Sequence, residues 1–280
     1  MSTYSFTRAV IGSLFVAVLI ATSSTARAGN VFVSGHDSDF HAVLGPNPPG
    51  AQNIINRALD FARDGNTAPI LFLQSSLANL ALGDHADSEL GLQASGYTAA
   101  TTPGQHYVKV NAAGFASANL GDYSAIFVPS DHGGTLTGDD LKALVARSAD
   151  ILAYINAGGG LVAFAEDGFH TPASVGPEAA PFGYLPFLIT STAFTEAENG
   201  NTLTPFGSSL GLLTSDINGN FSHNIFTATG GMIVVDRDAA GDILSLAFSG
   251  QLGPGGVVPE PSVLVLTGGV LAVLAVLKRK

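Results

Sequence analysis

The sequence predicts an α/β fold, a three-layer arrangement around a mostly parallel sheet with a less regular C-terminal half. Three observations lead there. Short apolar runs at 31–33 (VFV), 69–73 (PILFL), 123–128 (YSAIFV) and 161–165 (LVAFA) lack polar alternation, as strands buried on both faces do. Helical periodicities lie between them, the pattern of parallel strands joined by crossovers. His, Asp and Glu directly follow three of these runs, at the edge where open α/β sheets gather ligands.

In chain order, Arg8 precedes an apolar run over 9–21, and Ala26-Arg27-Ala28 supplies an A-x-A site. Together they read as a secretory signal peptide over 1–28, cleaved after Ala28. The run is shorter than the ~20 residues that span a bilayer. Strand 31–33 follows, closed by Ser34-Gly35. Ile54, Ile55, Ala58, Leu59 and Ala62 then form one apolar helical face over 51–62, stopped by Asp64-Gly65-Asn66. Strand 69–73 comes next. Asp84, His85, Asp87 and Glu89 read as a solvated loop before a strand at 107–110 and another at 123–128. Thr137 with Asp139 and Asp140 opens one long helix, whose stripe Leu141, Leu144, Val145, Ile151, Leu152 and Ile155 runs to the stop Gly158-Gly159-Gly160. That triplet precedes a strand, so it is no phosphate cradle. Strand 161–165 follows. Beyond 170 the chain loosens, with strands expected at 232–235 and 243–248. Asp236, Asp238 and Asp242 around Gly241 read as a hairpin connection with incidental calcium affinity.

Of 280 residues, 46% are apolar and 12% charged, too apolar and too weakly charged for a disordered chain. With no Cys, disulfides, thiolate metal sites and thiol nucleophiles are excluded. The net charge of −11 understates the body. Five of the 11 basic side chains and one of the 22 acidic ones lie in the two terminal segments, leaving 29–257 with 6 against 21, a net of −15. Such a surface argues against nucleic acid as a partner.

At the other end Pro259-Glu260-Pro261 precedes an apolar stretch over 262–277, and Lys278-Arg279-Lys280 close the chain. The prolines mark a helix start. Sixteen residues rise about 24 Å, slightly less than a ~30 Å hydrocarbon core, and the cations favour the cytoplasmic side. This is a marginal transmembrane helix with the body outside. The order and spacing resemble the PEP-CTERM sorting signal. That resemblance implies a Gram-negative bacterium making extracellular polysaccharide, passage through the secretion translocon, signal peptidase, and an exosortase acting at the signal. The protein would cross the inner membrane, be held transiently by its C-terminal helix, and end at the cell surface or outside the cell. The chain thus divides into signal peptide (1–28), α/β domain (29–250), linker (251–257) and sorting signal (258–280).

The candidate site residues lie on the strand tails: His36 and Asp37 after the first strand, whose tail also carries Asp39 and His41, Asp131 and His132 after the fourth, and Glu166, Asp167 and His170 after the fifth. His223 is a late candidate. Imidazole with carboxylate, absent thiolate, suits a divalent metal such as zinc, manganese or non-haem iron, and equally acid–base work. No H-E-x-x-H spacing occurs, and Asp after a strand also caps helices or closes turns. Asp37 and Asp39 alternate as on an extended segment, which would keep His36, Asp37, Asp39 and His41 from all pointing inward.

The runs YSAIFVPSDHGG (123–134) and AGGGLVAFAED (157–167) resemble the flavodoxin-like class I glutamine amidotransferase fold, over roughly 30–170. In that family a nucleophilic Cys follows the equivalent of 161–165. Here Glu166 or Asp167 stands there, which excludes glutamine hydrolysis through a thioester. No G-x-S-x-G elbow supports a serine esterase. The expectation is an exported domain that binds a ligand without turnover, with no cofactor assigned beyond the divalent metal these side chains would suit. The alternatives are a hydrolase on a saccharide-type substrate and a purely structural matrix protein.

Overall fold

In the computed structural model, residues 29–75, 88–131, 135–166 and 181–253 are described. The expected signal peptide with Ala26 and Ala28, and the sorting signal with Pro259, Glu260, Pro261, Lys278, Arg279 and Lys280, lie outside them. So do His132, Asp167 and His170. Among the described residues no helix is long and apolar enough to cross a membrane.

The first half alternates strands and helices: β1 (Gly29–Ser34), α1 (Ser38–His41), α2 (Pro48–Arg63), β2 (Ile70–Leu73), α3 (Ser88–Ala94), β3 (Tyr107–Val110), α4 (Ala112–Ser117), β4 (Ala125–Val128), α5 (Gly138–Ala146), α6 (Ser148–Asn156) and β5 (Gly160–Ala163). The second half is mainly strands: β6 (Ile189–Ala197), β7 (Thr202–Leu203), α7 (Pro205–Ser209), β8 (Phe221–Thr229), β9 (Ile233–Arg237) and β10 (Ile243–Gly250).

All ten strands join one sheet in the order β3-β2-β4-β5-β1-β10-β8-β6, with β9 on β10 and β7 on β9. The first five are mutually parallel. The other five attach through antiparallel pairs. The sheet is therefore mixed, where a mostly parallel one was expected. The reason is composition: β6 and β8 (ITSTAFTEA and FSHNIFTAT) are rich in Thr and Ser, β6 largely solvent-facing, so neither shows a continuous apolar run.

Side chains of the parallel strands divide by the two-residue period between two cores. Phe32, Phe72, Phe127 and Phe164 face α2, packing on Ile54, Ile55, Ala58 and Leu59. Val31, Val33, Ile126 and Val128 face the opposite layer, against Leu141, Leu144, Ile151 and Ile155. The long helix expected from 137 is two. Thr137 and Asp140 form a reciprocal capping box at the start of α5, and the helix breaks at Arg147 (φ −109°, ψ 15°). There the guanidinium donates to the carbonyls of Phe115 and Ala118 at 2.7 and 2.8 Å, tying the break to the end of α4.

One discontinuity positions the polar groups. β1 runs along β10 from Gly29↔Gly250 to Ser34↔Ser245, while β9 occupies the other edge of β10. Past Ser34 the first strand turns away, and β8 takes over its edge at Ile243↔Phe226. Gly35 sits at the departure. A Cβ there would fall 2.0 Å from the Asn224 carbonyl oxygen, so the close approach of β8 needs glycine.

Candidate functional site

The tails of β1, β4 and β5 converge where β8 enters. The Asp131 N–H donates to the Ala165 carbonyl at 2.9 Å, and the Ala165 N–H to that of His36 at 3.3 Å. From β8, the His223 N–H donates to the Gly35 carbonyl at 2.7 Å. The Asn224 side chain brackets Glu166, accepting from its N–H at 2.6 Å and donating to its carbonyl. His36, Asp37, Asp39 and His41 are all buried, contrary to the extended reading, because 38–41 curl into α1 instead of continuing as a strand.

His36 lies between two carboxylates, its Nδ1–H donating to Glu198 Oε1 at 2.5 Å and its Nε2–H to Asp236 Oδ2 at 2.6 Å. The Ser222 hydroxyl also donates to Glu198 Oε1, at 3.0 Å. Burial opposes a charged imidazole, but Glu198 and Asp236 outweigh it and lift the pKa to about 10. The ring is an imidazolium with both nitrogens engaged, which suits a structural crosslink and not proton shuttling.

Asp37 occupies the N-cap position of α1, yet its side chain makes no capping bond. Its Oδ1 instead accepts from the Ser130 hydroxyl at 2.7 Å, and its Oδ2 lies 3.6 Å from His223 Nε2. Ligand atoms of Asp37, His41 and His223 lie within 4.8 Å of one another, all three residues buried. His41 Nδ1 is 3.1 Å from the Leu44 carbonyl, and His223 Nδ1 is 3.2 Å from Thr195 Oγ1. Beside them Asp39 Oδ2 accepts from the Ser88 hydroxyl at 2.5 Å and the Ser130 N–H at 3.0 Å. Burial, with the charge of Asp37 behind it, raises the Asp39 pKa.

Glu166, three residues past the end of β5, is also buried. It accepts from the Phe182 N–H and the Tyr184 hydroxyl, both at 2.7 Å. Burial first, then the Asp131 carboxylate, pushes its pKa up to about 8 against those two hydrogen bonds. The Tyr184 phenol is held well above its usual range by burial and by Glu166.

Of the sequence candidates, the structure brings His36, Asp37, Asp131, Glu166 and His223 to one end of the parallel strands, together with Asp39 and His41. Glu198, Ser222 and Tyr184 were missed. They come from the second half of the chain, where no local pattern ties them to 36 or 166. Asp236 was read as part of a hairpin, which β9 and β10 do form, but its side chain faces His36. Of the expected loop at 84–89, Glu89 is in α3, where it accepts from the Tyr107 hydroxyl at 2.7 Å and pairs with Lys109. Asp84, His85 and Asp87 lie outside the described residues. Comparison with protein-family models, with curated proteins and with solved structures finds no match for this chain.

Proposed function

We propose that the protein is an exported, surface-sorted binding protein whose α/β body holds a ligand at the carboxyl ends of β1, β4 and β5 without turning it over. In this reading the secretion translocon exports the chain, signal peptidase cleaves after Ala28, and an exosortase acts at Pro259-Glu260-Pro261. The body then meets extracellular polysaccharide at the cell surface or beyond it. One observation carries the binding assignment: the tails of three parallel strands and the start of β8 meet in a buried cluster of His and carboxylate side chains, and Asp37 at its centre caps nothing. The crosslinking geometry of His36 favours binding over catalysis.

The parallel half, ordered β3-β2-β4-β5-β1 with Glu166 just past β5, supports an amidotransferase-like reading of that half. The alternative, a hydrolase on a saccharide-type substrate, draws on Glu166, which keeps its proton to about pH 8 beside Asp131 as a general acid would.

Two measurements test the reading. Replacing Pro259-Glu260-Pro261 by alanines should leave unprocessed protein in the membrane fraction, and unchanged release would refute the sorting assignment. Sedimentation with exopolysaccharide from a producing strain should carry the protein down with no new reducing ends. Failure to co-sediment rejects the binding assignment, and released reducing ends transfer it to the hydrolase.

A further inference from the structure

We infer that Asp37, His41 and His223 bind one divalent transition-metal ion of the zinc type, which deepens the proposed binding function and rests on it. The ligand positions follow from the fold. Asp37 and His41 are four residues apart across the single turn of α1, a spacing that puts both on one side of the helix. β8 supplies His223 against them, seated by its own N–H on the Gly35 carbonyl.

The surroundings of each donor match what a metal site requires. A ligating imidazole gives its lone pair from one nitrogen and donates the other N–H to an oxygen, which fixes ring and tautomer. His41 has the Leu44 carbonyl at Nδ1, and a carbonyl only accepts, so Nδ1 carries the proton and Nε2 the lone pair. His223 has Thr195 Oγ1 at Nδ1, which leaves its Nε2 toward Asp37 Oδ2. Asp37 is oriented in the same way by the Ser130 hydroxyl on Oδ1. Two neutral imidazoles and one carboxylate give the site a charge of the right sign. Two nitrogens and one oxygen select a first-row transition ion over calcium or magnesium, which take oxygen ligands. Three protein donors also leave a tetrahedral ion one position for water or for a hydroxyl or carboxylate of the bound ligand.

The test uses the full-length chain purified in detergent, stripped with chelator and dialysed against Zn2+, Co2+ or Ca2+. The chain should take up one equivalent of Zn2+, show the visible absorption of low-symmetry Co2+, and take up no equivalent of Ca2+. Thr195→Val should lower Zn2+ affinity about 10- to 100-fold, and His41→Gln or His223→Gln should lower it further. Asp139→Asn, at an exposed carboxylate, should bind as the wild type does. Less than one equivalent of Zn2+ on the wild-type chain overturns the site whether or not the variants fold. So does full uptake after both histidine substitutions, or Ca2+ uptake in place of Zn2+. The two proposals fail separately. Polysaccharide co-sedimentation without metal uptake rejects the metal alone, and metal uptake without co-sedimentation rejects the polymer alone.

Discussion

At the scale of single residues, the buried charges set the sharpest expectations. Removing the cation between Glu198 and Asp236 leaves two carboxylates facing each other out of water. His36→Ala should therefore destabilise the fold by about 3–5 kcal/mol in a denaturant titration, the cost of breaking a buried ion pair from one side. Glu166 gives a pH signature. Its folded pKa of about 8 lies above the ordinary carboxyl value, so between about pH 4.5 and 8 the folded state binds the proton that the unfolded state has lost. Its contribution is full below pH 4.5 and disappears as the pH rises through 8. Glu166→Gln should flatten that part of the stability profile, and an unchanged slope in the variant would locate the titration elsewhere. His36, Asp37, Asp131 and Glu166 were legible because each directly follows an apolar run. Their partners were not, since Glu198 and Asp236 lie 162 and 200 residues from His36 and nothing local marks the pairing.

At the scale of elements, legibility followed burial. Strands covered on both faces, and α2 with its one-sided stripe, stand out in the sequence. The polar strands β6 and β8 and the four-residue α1 do not, because their conformation is set by what they pair with. α1 shows the difference best: SDFH reads as an extended alternation until β8 and the tail of β4 close around it. Two substitutions probe this level. Thr137→Ala removes the capping box of α5 and should cost about 0.5–2 kcal/mol, read as faster amide exchange in the first turn of that helix. Gly35→Ala pushes a methyl against the Asn224 carbonyl, backbone that cannot swing aside. It should cost about 3 kcal/mol, the upper end for overpacking, and loosen β8 with the groups it brings to the site.

At the scale of the whole molecule, the parallel half was foreseen and of the antiparallel half only the β9–β10 hairpin was, yet β1 needs both halves. It pairs with β5 on one side and with β10, the last of the described strands, on the other. A chain cut before residue 243 should consequently fail to give a cooperative unfolding transition even though every parallel strand is present, because β1 would keep an unpaired edge at the centre of the sheet. A sharp transition in such a truncation would show that the parallel half stands alone. The same pairing sets a direction in space. Gly29 and Gly250 are neighbours at one end of β1, and Leu252 is fastened there to Asn156 by hydrogen bonds of 2.7 and 3.0 Å. The His and carboxylate cluster is at the other end, roughly 17 Å away along a six-residue strand. The described residues thus begin and end at one pole of the body, and under the proposed sorting a protein tethered by its tail would hold the opposite pole, where the imidazoles and carboxylates lie buried, away from the tether.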